Sequence, residues 1–456
     1  MSRDEGGIDG IRTGAVWRPP LGKRGAFLHE RLVTVGQGGV SARLLGGNRA
    51  GEVRVGRFLR NPKVTVGEIF AEAAAGTAGR VAGLHVLAIQ DTTSLRDDGA
   101  GRSLVAHATI AVEAETGALL GLAQGEILSR AGGPAQSRKA RAFDEKQSRR
   151  WLNGAEAGAG LAAAGAARVT VVADREGDIY EMFAHKPEGV ELLIRAAQDR
   201  ALADDAPGSA GGSAEASGRL FAALAAQPEA GRFTVALSAA PGRTAREARL
   251  AVRFCAVELK RPANRPAASG LPKATPAFLV EAREIDPPAG VAPAHWRLLT
   301  THRIESFEQA RWLTGLYRKR WVIEQLFRTI KTRGFDIERV SMAEQPFEKL
   351  AATALVAGVS CLQLVQDREG LAKRPLDDVF ESQDQPALEA VSAQLEGKTE
   401  KQKNPHPKGS LAFASWVCAR LGGWTGYYGK PGPIVMLRGL YQFRAIQHGW
   451  RLATNV

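Results

Sequence analysis

Cysteine is scarce in this sequence: Cys255, Cys361 and Cys418 are the three in 456 residues. They lie far apart, with no CxxC pair and no neighbouring histidine. Neither a disulfide framework nor a zinc site is expected, and a reducing, cytoplasmic setting fits. Long apolar runs are missing too. The longest uncharged helical stretch, AATALVAGVSCLQLVQ at 351–366, is shorter than a bilayer span and contains Thr, Ser and Gln, so it predicts a buried helix and no membrane. The start, MSRDEGGIDG, has no apolar core of the kind a signal peptide needs, so export is not expected. Negative charge is in deficit, with 48 acids against 61 bases and a pI near 9.9. That balance points to a polyanionic partner, nucleic acid ahead of an anionic membrane.

What is present is a folded chain, 44% hydrophobic and too long for one core, so two to four domains are expected. Two short helices are predicted at 50–59 and 66–75, amid a cluster of Arg49, Arg54, Arg57, Arg60 and Lys63. Such a cluster is either a solvated face or a phosphate-binding one. From residue 84 the pattern changes. HVLAIQ is an apolar strand ending at Asp91; 103–112 and 119–128 flank the turn EAETG as a hairpin; a basic stretch at 130–141 precedes an Ala-rich helix at 144–164. RVTVVAD is a second apolar strand ending in an acid, Asp174, followed by a helix in GDIYEMFAHK and a strand in ELLIRA. This is an α/β order with both acids just past the carboxyl ends of buried strands, the edge where open α/β sheets bind ligands. Residues 197–294 then read as a β-rich insertion with Gly- and Pro-rich loops, before HWRLLTTH resumes the pattern.

A long helix is predicted from Ser306, its N-cap. Within it, YRKRWVIEQLFRTIKTR at 317–333 holds one carboxylate, Glu324, among many bases. At ~100° per residue, Tyr317, Arg320, Glu324 and Lys331 fall within roughly 60° of one another. Trp312, Leu316, Ile323, Leu326, Phe327 and Ile330 form the adjoining apolar stripe. Glu324 reads either as a member of surface ion pairs with Arg320 and Arg328, or as a third carboxylate meeting Asp91 and Asp174. Three gathered carboxylates repel unless a cation intervenes. Hard divalent ions, two Mg2+ with Mn2+ as the alternative, take such ligands and serve displacements at phosphorus.

QDTTSL at 90–95, EKQSRRW at 145–151, ADREGDIYEMF at 173–183, HWRLLTT at 295–301 and the spacing Y-x2-R-x3-E-x6-K resemble the bacterial insertion-sequence-four family of DDE transposases. The likeness is strongest between residues 84 and 334. It implies an α/β, ribonuclease-H-like catalytic core with a β-rich insertion, plus helical N- and C-terminal domains. The division it suggests is 1–80 for DNA binding, 81–196 and 295–370 for the core, 197–294 for the insertion and 371–456 for dimerisation. By the same resemblance Asp91, Asp174 and Glu324 are catalytic metal ligands. Tyr317, Arg320, Lys331 and Arg195 contact the backbone of the transposon end, and the N-terminal helices with Arg54, Arg57 and Arg60 bind its inverted repeats. Trp296 accommodates a flipped end base, with a core tryptophan as the alternative reading. The implied activity is cut-and-paste transposition by a homodimer on DNA. A general nuclease of the same fold and an inactive end-binding repressor stand as alternatives.

Overall fold

The computed structural model describes residues 19–35, 40–97, 103–130, 148–203, 218–238, 244–265, 270–331, 334–427 and 429–454. Most of the basic stretch after Arg130, and the expected helix start at Asp144, lie outside them. Nine strands form one sheet: β1 (His85–Asp97), β2 (Ser103–Glu113), β3 (Leu119–Arg130), β4 (Arg168–Ala173), β5 (Val190–Arg195), β6 (Gly231–Leu237), β7 (Arg246–Lys260), β8 (Ala274–Glu284) and β9 (His295–Thr300). Their order is β3-β2-β1-β4-β5-β9-β8-β7-β6. The centre, β1-β4-β5, is parallel and the flanks are antiparallel. The β2–β3 turn places Gly117 at φ 81°, which suits a residue without a Cβ. Within 197–294, expected as a β-rich insertion, β6, β7 and β8 are antiparallel strands, and they are continuous with the core sheet: β8 pairs with β9 and carries β7 and β6 outward.

Among the described residues four helices precede β1: α1 (Pro19–Val35), α2 (Ala42–Gly46), α3 (Arg49–Leu59) and α4 (Val66–Ala78). Only the last two were predicted. α3 starts where the Asn48 side chain accepts from the Gly51 amide, and α4 starts with a Thr65–Glu68 capping box. On one face of the sheet lie α5 (Arg149–Ala163), α6 (Tyr180–Ala184) and α7 (Leu220–Ala225), packed on Val86, Ala88, Val169 and Val171. The other face, with Leu87, Ile89 and Val172, is covered by α4, α8 (Phe307–Arg318), α9 (Trp321–Ile330) and α10 (Glu344–Gln366). α10 is long and apolar enough to cross a membrane by length and composition, but it is buried as the central helix of the protein, as expected for 351–366. α11 (Gln385–Leu395), α12 (Leu411–Leu421) and α13 (Pro433–Thr454) complete the chain, and α13 packs on α1, α10 and α12.

The single long helix predicted from Ser306 is two. Ser306 does cap α8, accepting from the Gln309 amide. At the junction, however, the amides of Lys319, Arg320, Val322 and Ile323 bond three residues back instead of four, which tightens the turn and redirects the chain at Lys319 and Arg320. Leu316, Ile323, Leu326, Phe327 and Ile330 are buried as the apolar stripe required. Trp312 is not: it is 37% exposed, with its ring against His85 and His302.

Candidate active site

Strand parity aims the acids. Asp91 shares the face of Leu87 and Ile89, and Asp174 that of Val172, so both lie on the α9 side of the sheet. Asp174 follows β4 as predicted and N-caps a single 3-10 turn, its carboxylate accepting from the Glu176 amide at 2.9 Å. Asp91 corrects the prediction, because it lies inside β1 instead of beyond it. The parallel pairing of β1 with β4 ends at Ile89, after which β1 runs on paired only with β2. Asp91 thus stands where the buried parallel centre stops, with one oxygen accepting from the Thr92 amide at 2.8 Å. α9 is held over this edge by α10, where Gly358 admits Leu326 and Ile330; an added Cβ would meet them at 3.0 and 3.1 Å.

Arg320 joins the pieces. Its guanidinium donates to Asp91 at 2.7 Å and to Glu324 one turn on, with all three side chains at least three-quarters buried. This is not the exposed surface ion pair of the simpler reading. Burial pushes the Asp91 carboxyl up to about 6, with Arg320 opposing the shift and the charge of Asp174 adding to it. Burial also works against the Arg320 charge, but Tyr317, Asp91, Glu324 and Asp174 outweigh it and hold the guanidinium above its usual value. Tyr317 is buried, its hydroxyl pushed up by desolvation, with Arg320 and Arg195 both against it.

Arg320 and Tyr317 also line a cleft of about 670 Å3 with Arg175, Arg195, His295, Trp296, Arg318 and Trp321. The cleft is strongly cationic and carries two indoles, a combination suited to a nucleic-acid backbone and its bases. Arg195 is fixed from behind by donating to the His295 carbonyl at 3.1 Å. Arg175, Arg318 and Trp321 were not singled out from sequence, though each lies inside a quoted motif. Lys331 departs from the predicted face. It is the C-cap of α9, in a non-helical conformation, with its ammonium 3.0 Å from Glu338, because the break before α9 and the end of the helix void the ideal projection. Arg54 and Arg57 are exposed on α3 and Arg60 at its C-cap, none of them in these contacts. Arg57 and Arg60 line a second groove with Arg24 and Arg49, while Arg54 lies over the Phe27 ring of α1, 4.6 Å from its centroid.

The structure gathers Asp91, Glu324, Arg320, Tyr317, Arg195 and Trp296 around one edge, with Asp174 close enough to act on their charges. It does not draw the three carboxylates into one ligand set: among the described residues no group of three carboxylate, histidine or cysteine side chains is arranged to hold an ion. A guanidinium spans Asp91 and Glu324 instead. The donor chemistry still suits a hard divalent cation, since Asp91 and Glu324 present carboxylate oxygens to one point, where a single guanidinium now stands. Residues 246–360, running from β7 through Glu324 and into α10, match the family model described as "Transposase DDE domain", a match that includes one of the three acids and leaves Asp91 and Asp174 outside it.

Proposed function

We propose that this chain is a DNA transposase of the insertion-sequence-four kind, with a ribonuclease-H-like core and with Asp91, Asp174 and Glu324 as its catalytic acids. The observation that carries the reading is Arg320, which faces the cationic cleft while holding two carboxylates from segments over 200 residues apart (229 between Asp91 and Arg320). The strand order β3-β2-β1-β4-β5 and the matched residues 246–360 support it.

In this reading the cleft arginines, Arg175, Arg195, Arg318 and Arg320, neutralise and orient the backbone of an element end, and Trp296 stacks on an unpaired base. A hard divalent cation, Mg2+ or Mn2+, held by Asp91, Asp174 and Glu324 would supply charge stabilisation for displacement at phosphorus. Arg320 must release both carboxylates for that to happen, and a phosphate entering the cleft offers its guanidinium an alternative partner. End cleavage, hairpin formation, hairpin opening and joining to target DNA are all displacements at phosphorus, so one site serves each in turn without a covalent enzyme intermediate. Two copies would pair through the C-terminal helices, where Ile446, Trp450 and Leu452 are exposed on α13.

The test is Glu324→Gln with DNA carrying the element's inverted repeats. Retained end binding with loss of Mg2+-dependent cleavage is expected. Undiminished cleavage rejects the assignment, and equal cleavage of unrelated DNA by the wild type turns it into a general nuclease.

A further inference from the structure

Behind the acids, on the opposite face of the sheet, Gln90 and Thr92 point away from α9 by the same parity that turns Asp91 toward it. Thr92 there meets Arg150, the second residue of α5, whose Nε donates to the Thr92 hydroxyl at 3.1 Å. The other arm of the same guanidinium donates to the Glu176 carboxylate at 3.0 Å. Thr92 follows Asp91 directly and gives it its amide hydrogen bond; Glu176, two residues past Asp174, does the same for Asp174. One buried side chain therefore holds both residues whose amides fix the two aspartates. The Arg150 side chain is 8% exposed, and it lies over the Trp151 indole, 5.3 Å from the ring centroid. His107 supports the same hydroxyl from the other side, Nδ1 at 2.9 Å from the Thr92 Oγ1 and Nε2 at 3.1 Å from the Gln90 side-chain Oε1.

We infer that Arg150 is a positioning residue: it clamps β1 at Thr92 to the turn that follows β4 and so sets the separation of Asp91 and Asp174. The inference rests on the proposed role of these acids. A guanidinium suits the task because its planar fork reaches two acceptors in fixed directions, whereas a lysine ammonium at the same place reaches one. Loss of the clamp leaves the carboxylates present but loosely spaced, and residues supporting a ligand shell typically change metal affinity by about 10- to 100-fold.

The experiment compares wild type, Arg150→Met, Arg150→Lys and Thr92→Val by amide hydrogen exchange without metal, and by Mn2+ titration followed by electron paramagnetic resonance. In Arg150→Met the amides of Thr92 and Glu176 should exchange at least about tenfold faster while the β2–β3 pairing keeps its protection. Mn2+ affinity should fall by about 10- to 100-fold, with Arg150→Lys intermediate. Thr92→Val, which removes one arm together with the His107 contact to the same hydroxyl, should loosen the Asp91 segment alone, and Arg150→Lys decides the matter if Arg150→Met does not fold. Unchanged exchange at both amides overturns the clamp. Wild-type protein that takes up no Mn2+ overturns the ligand role of the acids, and exchange, which needs no metal, still decides the clamp by itself.

Discussion

Removing the Arg320 guanidinium should tighten divalent-cation binding, although it deletes a residue placed at the centre of the site. In the structure this side chain donates one hydrogen bond to Asp91 and one to Glu324, and a cation taking both carboxylates must displace both. Charge-assisted hydrogen bonds are worth about 1.5–3 kcal/mol each. Residual solvent at a site 15–25% exposed lowers the combined penalty to roughly 1.5–3 kcal/mol. At 1.4 kcal/mol per factor of ten, Arg320→Met should bind Mn2+ about 10- to 100-fold more tightly than wild type in the absence of DNA. One effect runs the other way. Arg320 lowers the Asp91 pKa, so its removal lifts that carboxyl further above 6 and lets protons compete with the metal. The titration by calorimetry should therefore be done at about pH 8.5, where the carboxyl is ionised, and the gain should shrink toward about pH 6.5. Equal or weaker Mn2+ affinity at the higher pH, in a variant that melts like wild type, would refute the view that Arg320 and the cation compete for the same oxygens.

The raised Asp91 pKa also makes a stability prediction. Its folded value of about 6 stands above the reference 3.8, so the neutral form suits the fold; stability falls as pH rises from about 4 to about 6 and then stays reduced by up to about 3 kcal/mol. Asp91→Asn escapes this penalty but loses an ion pair, and should gain about 1–3 kcal/mol in urea unfolding at about pH 7.5 and nothing at about pH 4; a loss at the higher pH contradicts the shift. Gly154→Ala should destabilise by about 1–3 kcal/mol and disturb the acid edge, because the added Cβ would lie 2.2 Å from the Gln90 side-chain oxygen and 2.8 Å from the Thr109 hydroxyl. Thermal melts and cleavage assays on the same preparation check both effects. Arg57→Ala with Arg60→Ala removes two exposed cations from the α3 groove, and should lower the slope of log affinity against log salt for DNA by about 2, measured by fluorescence anisotropy. An unchanged slope places the DNA elsewhere.

Part of the candidate site was legible before folding because two of its acids follow apolar runs. Such a run reveals a buried strand, and the first acid after it marks where the chain leaves the core; Asp174 follows β4 in this way, whereas β1 runs on past Asp91, so the neighbours of Asp91 gave its face and not the end of its strand. Glu324 was identifiable as a lone acid among bases. The helix α8–α9 shows the limit of that reading. Its apolar stripe was legible, but the break at Lys319 and Arg320 was not, since neither Gly nor Pro marks it; the turn tightens where the chain passes β1 and Arg320 reaches Asp91. Lys331 was misplaced for the same reason, a projection onto a helix that ends before it.

Local order thus determined the core strands, the apolar stripe of α8 and α9 and the basic character of the cleft residues, because those properties depend on side chains within a few positions of one another. Tertiary structure alone decided that β6, β7 and β8 extend the central sheet, that Arg320 occupies the space between two of the three carboxylates, and that Arg150 braces two of them from behind. These are contacts between segments 26 to 229 residues apart. No local pattern encodes them, since they arise only when opposite faces of one strand are pressed against different helices.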